Sequence, residues 1–434
     1  MPVISPTLTT RLYRPLWAIG SLVLSTGIVG PARADFLTDS SAHLESRTYY
    51  FNSDMRDGSS ANPQGASKHE ESAQGFILDL QSGFTEGPIG FGVDAVGMLG
   101  LKLDSSPADS NSGLLPSSGH QPRGAADQYA KAGVAGKLRF AQTRLKFGAL
   151  LPDMPLLRHD DTRLLPAMFH GTQLASTDIP GLIVTATRLE RYTGRDSTDA
   201  QDIRLNCKNK RYTCDTTGNR FDAYQADYQI TEHFQLQYAR GGLENVYRQS
   251  FVGVVGRQPL GPGQANVDLR WFDSDDDGAA RAGRIDNRTL SALLGYSLGN
   301  HTLSVGWQRL TGDSSMPYLD GSTPYLVNYV QYNDFANAGE RSWQLRYDYD
   351  FRGLGIPGLS LLTRYVSGDH IEVAGDQEGR EWERNVEFKY VVQNGTFKGL
   401  NLRLRNATYR TNFEESARDI DETRLIATYN FSLL

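Results

Sequence analysis

Only two cysteines occur in the 434 residues, which excludes a small disulfide-stapled scaffold, and the lack of any Gly-X-Y period excludes collagen. Beyond residue 34 no run approaches about 18 apolar residues, and the mean hydropathy is −0.45, so a polytopic helical membrane protein is excluded too. Aromatic residues make up 10% of the chain, which is too many for a disordered protein. The 44 glycines and 21 tyrosines leave either several soluble domains or one large β structure.

The first 34 residues have the features of a secretory signal peptide. Arg11 and Arg14 give a basic start, residues 16–29 are apolar, and an A-x-A cleavage site ends at Ala34. The alternative is a membrane anchor, but no basic stop-transfer flank follows. Cleavage removes three arginines and no acid, so the formal net charge changes from −6 to −9. We predict a signal peptide over 1–34 and a single domain over 35–434, exported to an oxidising compartment.

Apolar and polar residues alternate with period two along the exported chain, as they do in segments 344–352 and 424–433. About 18 such segments occur, each of roughly ten residues. Short turns such as Pro180-Gly181 alternate with long polar loops such as 313–339. This pattern predicts an all-β fold, a transmembrane antiparallel β-barrel of about 18 strands.

A soluble β-sandwich or a propeller is the alternative, because its strands alternate as well. In those folds, however, one face is a packed apolar core. Here the polar face carries like charges two residues apart, as at Arg403 and Arg405 or at Arg144 and Lys146. Such pairs are solvated inside a water-filled barrel, so the barrel is the favoured interpretation.

Several stretches resemble the OprD family of substrate-specific outer-membrane channels. They include SWQLRYDYDFRGLGIPGLSLLTRYVSGDHI at 342–371 and ETRLIATYNFSLL at 422–434. The resemblance implies an 18-stranded barrel with an inward-folded third loop that forms the constriction. It also implies small water-soluble substrates, generally with a carboxylate. One branch of the family favours basic amino acids, and the other favours monocyclic and other small carboxylic acids.

The resemblance implies a ladder of basic side chains in the lumen, and Arg403, Arg405 and Arg424 match its positions. A row of cations would draw a carboxylate in and release it stepwise. The predicted ladder consists of Arg403, Arg405, Arg424, Lys389, Arg364, Arg346, Arg139, Arg144 and Lys146, with Lys137 beside them. Alternatively, these charges pair with acids such as Asp348, Asp350 or Glu387 and simply hold the wall together.

Two loop segments are candidates for the constriction. Residues 151–173 are rich in apolar side chains that require burial, which favours a loop folded into the lumen over one packed on the rim. Asp160, Asp161 and Arg163 would then lie at or near the narrowest section. In 322–335, Tyr332 and Asp334 match pocket residues of the basic-amino-acid branch. Ser322 replaces an acid of that branch, which argues against a cationic head group, and the form DTRLLPAMFHG of the third loop resembles the carboxylate branch.

The sequence predicts one disulfide bond and no metal site. Cys207 and Cys214 are predicted to form one disulfide within a loop. The eight histidines show no metal-ligand spacing, and an EF-hand-like run at 273–284 has Arg284 where a bidentate Glu is required, so no metal is expected. No cofactor is expected.

The predicted function is passive, selective diffusion of small anionic or zwitterionic carboxylates across the outer membrane of a Gram-negative bacterium, with monocyclic or aromatic acids favoured. The partners are then these solutes and outer-membrane lipid, not nucleic acid, and the protein is a monomer or a loose trimer. Alternatives are a porin for basic amino acids or small peptides, and a non-selective porin. An outer-membrane hydrolase would have to use His159 and His170, beside Asp160 and Asp161; otherwise, no enzyme activity is expected.

Overall fold

The computed structural model describes residues 36–56, 67–119, 124–206, 212–373, 378–413 and 419–434; the predicted signal peptide lies outside them. The described strands are β1(Ser41–Met55), β2(Lys68–Gln81), β3(Ile89–Ser105), β4(Gln128–Phe140), β5(Thr143–Leu150), β6(Asp153–Met154), β7(Leu157–His159), β8(Met168–Ser176), β9(Leu182–Thr193), β10(Ala200–Asp202), β11(Phe221–Gln229), β12(Phe234–Leu243), β13(Tyr247–Leu260), β14(Gly263–Asp276), β15(Asp286–Leu298), β16(His301–Thr311), β17(Ser322–Thr323), β18(Arg341–Asp350), β19(Leu359–Glu372), β20(Glu378–Val391), β21(Asn401–Thr411) and β22(Ile420–Ser432).

The long strands form one closed antiparallel barrel. The main sheet contains 19 strands, and the short strand β10 is a side branch that pairs with β9. The other 18 pair in chain order, and the barrel closes because β1 pairs with β22 as well as with β2. The predicted 18-stranded barrel is therefore confirmed. Closure leaves no unpaired sheet edge, which a strand structure in lipid requires.

The outer face of the barrel is apolar. On β18, Trp343 and Leu345 are about half exposed, and on β21 Leu402 and Leu404 are exposed in the same way, whereas the alternate residues point inward. Exposed apolar side chains on alternate positions are what lipid contact demands. Among the described residues, a 3₁₀ turn at Phe351–Leu354 is the helical element. No helix in this part of the chain is long and apolar enough to cross a membrane.

The connections alternate in length, as the sequence predicts. Tight turns join one end of the strands, and two of them place Gly181 and Gly299 at positive φ (77° and 58°), a region that favours glycine. Longer connections join the other end. We name three of them by their order along the chain: loop 3 (151–167), loop 4 (194–220) and loop 7 (312–340).

Loops 3 and 7 are packed rather than solvated. Met154, Leu156 and Leu157 of loop 3 are buried in one apolar cluster together with residues of loop 7 such as Leu319. Leu164 and Leu165 of loop 3 are buried in a second cluster with strand residues. The apolar residues that set 151–173 apart in the sequence are thus buried, and this packing holds the loop in a fixed position.

The predicted disulfide lies partly outside the described residues, because Cys207 is not among them. It stays a prediction with a defined outcome. Cys207→Ser should leave barrel folding and conductance nearly unchanged, because a short bridge within a loop stabilises by roughly 2–3 kcal/mol and orders the loop alone. Protease nicking near Arg211 should increase. Mass spectrometry of the alkylated, unreduced protein provides the direct measurement, and two alkylated thiols would contradict the bridge.

Candidate functional site

A wall of inward arginines runs across strands β18 to β22. Arg346 on β18 lies directly opposite Arg364 on β19, and Arg405 on β21 lies directly opposite Arg424 on β22. Arg403 shares the inward face of β21 with Arg405 because the two are separated by one residue. Like charges placed opposite each other destabilise a sheet unless solvent or acids offset them.

Acidic side chains accompany part of this wall. Glu387 on β20 accepts hydrogen bonds from Arg403 Nε at 3.0 Å and Nη2 at 2.8 Å, and its other oxygen lies 3.1 Å from Arg405 Nε. Arg346 forms a two-pronged pair with Asp348 at 2.7 and 2.8 Å. These three arginines therefore form ion pairs with acids of the wall, which is the arrangement that the alternative of paired lumen charges describes.

Arg364 and Lys389 occupy the middle of the wall. The Nε of Arg364 donates to the amide oxygen of Asn385 at 2.7 Å, which is a neutral acceptor. Within the described part of the chain, no carboxylate oxygen lies within ion-pair distance of Arg364. Lys389 lies opposite Arg403 in the β20–β21 register. Arg364 thus binds a neutral amide instead of a carboxylate, and the charges of Glu383 and Glu387 act on it only from a longer distance.

Arg424 has a different environment from the rest of the wall. Its side chain is only 1% exposed, and its Nε pairs with Glu422 at 2.6 Å. Its Nη2 donates to the carbonyl oxygen of Gln331 in loop 7 at 2.9 Å. Arg424 therefore fastens loop 7 to the wall, and its place in the ladder stays a prediction.

A second basic group lies on strands β4 and β5. Lys137 and Lys146 both contact the carboxylate of Asp94, each at 2.5 Å. Arg139 and Arg144 lie opposite each other in the β4–β5 register, and both guanidinium groups approach the ring of Phe84, at 4.7 and 5.9 Å. These four cations form a second basic wall below loop 3, with one acid among them.

Loop 3 reaches side chains of distant strands and loops. Asp161 pairs with Arg47 of β1 at 2.6 Å, and Asp160 pairs with Arg195 of loop 4 at 2.5 Å. Burial would raise the pKa of the Asp160 carboxyl, but the charge of Arg195 and hydrogen bonds from Thr162 outweigh burial and lower this pKa below its usual value. Both acids of the predicted constriction are therefore paired with arginines outside loop 3.

Arg163 is the cation of loop 3 nearest the wall. Its Nε donates to the carbonyl oxygen of Ser112 at 3.2 Å, and the guanidinium lies over the ring of Phe51 at 4.9 Å. Burial and the like charges of Arg424 and Arg195 lower the pKa of Arg163 to about 10. Because this pKa stays far above neutrality, Arg163 is a cation that extends the basic wall onto the loop.

Loops 3 and 7 are joined to each other. Strand β7 of loop 3 pairs with β17 of loop 7, in the register Arg158 to Thr323 and His159 to Ser322, and β6 completes this small sheet. On its other side, loop 3 receives a hydrogen bond from the Tyr49 hydroxyl of β1 to the carbonyl oxygen of Thr162 at 3.3 Å. Loop 3 is thereby held between the β1 wall and loop 7.

Loop 7 is fastened to β20 by buried acids. The carboxylate of Glu383 accepts the backbone N–H groups of Tyr332 at 3.0 Å and Asn333 at 2.8 Å. Asp334 is 1% exposed and accepts a hydrogen bond from the Tyr318 hydroxyl at 2.5 Å. Asp334 therefore points into the loop, whereas Tyr332 is half-buried and packs against Tyr409 with the rings tilted by 50° and their centroids 5.0 Å apart.

The histidines that a hydrolase would need are used otherwise. His159 Nδ1 lies 2.8 Å from the carbonyl oxygen of Pro152, and His170 Nε2 lies 3.4 Å from the hydroxyl of Thr193. These contacts satisfy one nitrogen of each ring with neighbouring loop and strand groups.

Comparison with known proteins gives a consistent answer. The pattern of the outer membrane porin, OprD family, matches residues 34–433. The chain belongs to the OprD family. It is 34% identical to Porin D of Pseudomonas aeruginosa over an alignment of 455 residues, gaps included, which covers 96% of this chain and 99% of Porin D. It is 61% identical to the crystal structure of P. aeruginosa OccK10 (OpdN), covering 91% and 100% of the two chains with a TM-score of 0.79.

A further structural relative is P. aeruginosa OpdK crystallised with vanillate, at 41% identity and a TM-score of 0.84, covering 92% of this chain and 100% of OpdK. As a member of the OprD family, the chain is a channel and not an enzyme, and it is an outer-membrane protein of a Gram-negative bacterium. The predicted family, localisation and absence of enzymatic function are confirmed.

The sequence did not single out Arg47, Arg195 or Glu383, which hold loops 3 and 7 in place. The inward position of Arg47 could have been predicted from the sequence, because Arg47 lies two residues from Tyr49 and shares its inward face of β1. The roles of Arg195 and Glu383 could not, because their partners lie on other loops or strands and are set by the tertiary structure.

Proposed function

We propose that this porin carries small carboxylates, with monocyclic or aromatic acids favoured, along the basic wall of β18 to β22 and past a narrow section formed by loops 3 and 7. The observation that carries the proposal is the cluster of Arg346, Arg364, Arg403 and Arg405 on one wall. Arginine presents a planar fork that matches a carboxylate. Vanillate, bound in the OpdK structure, is itself a carboxylate on an aromatic ring, which supports the same solute class.

The narrow section has a physical basis in the packing of loop 3. Its apolar side chains are buried, and its polar groups contact β1, loop 4 and loop 7, so it is supported on three sides. A loop held in this way across the lumen limits the size of a passing solute, while the arginines select its charge. Arg163 would then present a cation at the narrowest section.

The direct test compares solutes of equal size and different charge. The rates compared are those above protein-free liposomes, because benzyl alcohol and the small neutral fraction of benzoic acid also cross lipid. On this measure, benzoate should enter liposomes containing the purified protein roughly tenfold faster than benzyl alcohol, because one unit charge in the field of several arginines is worth at least one tenfold step. Equal entry of benzoate and benzyl alcohol would show a non-selective porin. Faster entry of arginine than of benzoate would show the basic-amino-acid specificity, which Ser322 and the buried Asp334 do not favour.

The attachment of loop 7 gives a separate prediction. Glu383→Ala removes the acceptor of two consecutive backbone N–H groups, and each hydrogen bond to a charged group contributes about 1.5–3 kcal/mol. Loop 7 should then leave the wall for part of the time. Single-channel recordings should show a noisier current and a larger open level.

Glu378→Ala is the matched control, because Glu378 lies on the same strand at the exposed rim. Its current should equal that of the wild type. A quiet, unchanged current in the Glu383→Ala variant would mean that other contacts, such as that of Arg424 to Gln331, suffice to hold the loop.

We propose that the assembly is a monomer or a loose trimer, since the pairing of β1 with β22 closes a complete barrel from a single chain. Analytical ultracentrifugation in detergent measures this, and a stable dimer would contradict it.

A further inference from the structure

One acidic side chain lies at the centre of the basic wall. Glu387 contacts both Arg403 and Arg405, and its side chain is 16% exposed, against 25% and 18% for the two arginines. All three groups are therefore partly open to the lumen and accessible to a solute. Their summed charge is positive by one unit.

The geometry of Glu387 is that of a bound substrate. Arg403 donates from Nε to one of its oxygens at 3.0 Å and from Nη2 to the other at 2.8 Å, and this two-pronged geometry is how a free carboxylate would bind the same guanidinium. An arriving anion cannot use these donors fully until Glu387 gives up at least one of them. Arg364, which donates to the neutral Asn385, requires no such exchange.

An exchange of this kind resolves a problem in any selective channel. Two adjacent arginines without a counter-charge would hold a carboxylate so firmly that it left slowly, and flux requires weak binding. A resident carboxylate lowers the affinity while it keeps the guanidinium groups extended and in position. The same carboxylate re-forms its ion pairs with the arginines when the solute leaves.

Resting on the function proposed above, we infer that Glu387 is a selectivity-determining residue, an internal competitor that exchanges with the solute carboxylate at Arg403 and Arg405 and sets the rate of release. The solute first meets Arg364, whose contact is the neutral Asn385, and then displaces Glu387 from one arginine after another. No covalent bond changes, and the proton of each group stays where it was.

The test is Glu387→Gln, which keeps the shape and removes the charge. In planar bilayers under a KCl gradient, the reversal potential should shift toward anion selectivity, with the chloride-to-potassium permeability ratio rising several-fold. With benzoate as the probe, the dwell time of current blockades should lengthen by roughly tenfold, because a unit charge next to two arginines is removed.

Two further variants make the result decisive. Glu378→Gln removes a carboxylate from the rim of the same strand and should leave both readouts unchanged. Glu387→Asp keeps the charge and serves if the Gln variant does not insert. Its ion selectivity should stay close to that of the wild type. Because the shorter side chain competes less well for the two arginines, the benzoate dwell time should lengthen.

Failure here is distinguishable from failure of the proposed function. If the wild-type protein passes benzoate no faster than benzyl alcohol, the carboxylate proposal fails, and the reversal potential with chloride still tests Glu387. If the wild type favours benzoate but Glu387→Gln leaves reversal potential and dwell time unchanged, or shifts selectivity toward cations, the role of Glu387 as a competitor is overturned.

Discussion

Deletion of residues 155–166 from loop 3 is expected to raise the single-channel conductance about two- to threefold and to abolish most discrimination between solutes. An 18-stranded barrel is wide enough for a water-filled channel, so its conductance is set by whatever occupies the lumen. The deletion removes the segment that connects the β1 wall to loop 7. Charge selectivity should fall together with size selectivity, because in a wider path the mobile ions of physiological salt screen the wall charges from a solute more than about 8 Å away.

The contacts of loop 3 explain why the effect should be large. Asp161 and Thr162 bind Arg47 and Tyr49 of β1, and β7 pairs with β17 of loop 7. Without these contacts loop 7 also loses the strand that pairs with β17. The two acids lost, Asp160 and Asp161, are matched by two arginines lost, so the change in conductance should report the width of the path and not its net charge.

The barrel itself should survive the deletion, because its strands pair in a closed ring to which loop 3 contributes no pairing. Retained folding is checked by the heat-modifiable migration of the barrel on a gel. Asp161→Asn is the milder companion variant, which loosens the tether to Arg47 without removing the loop, and it should give intermittent large openings. A folded deletion variant with wild-type conductance would place loop 3 outside the path.

The wall of the barrel was predictable from the sequence, since a strand has a period of two. Once Leu402 and Leu404 are assigned to lipid, Arg403 and Arg405 must face the lumen, and no tertiary information is required. The burial of loop 3 was also predictable, because a solvated loop has no use for residues such as Leu164 and Leu165. Both inferences depend on local composition and spacing alone.

The partners of the charges were not predictable to the same degree. Arg47 and Asp161 lie 114 positions apart, and nothing in either neighbourhood identifies the other. Glu387 could be named as one possible partner of lumen cations, but its position opposite Arg405 depends on the register that the intervening turn imposes. Asp334 matched a family pocket residue in sequence, and its side chain is turned into the loop because Tyr318 donates to it. Pairing is a property of the assembled barrel.

The largest change in ion selectivity is expected from the double variant Arg403→Ala/Arg405→Ala. With Glu387 left in place, the local charge changes from plus one to minus one, because the acid loses both of its partners. A carboxylate reaching this position meets repulsion instead of attraction. Its flux should fall by roughly tenfold or more, since a reversal of sign at contact distance is worth more than 1.4 kcal/mol even near bulk dielectric.

Three measurements define the outcome of the double variant. The reversal potential under a KCl gradient should move toward cation selectivity, and benzoate uptake into liposomes should drop while uptake of neutral benzyl alcohol changes little. Arg410→Ala is the matched control, because Arg410 lies on the same strand and pairs with Asp421 at 3.0 Å near the rim. This variant should leave the reversal potential and the uptake of both solutes unchanged. Adding Glu387→Gln to the double variant should then restore part of the lost anion flux, because the repelling charge is gone while the arginines stay absent. Unchanged selectivity in a properly inserted double variant would show that solutes cross the barrel along another wall, with the four cations of β4 and β5 as the remaining basic surface among the described strands.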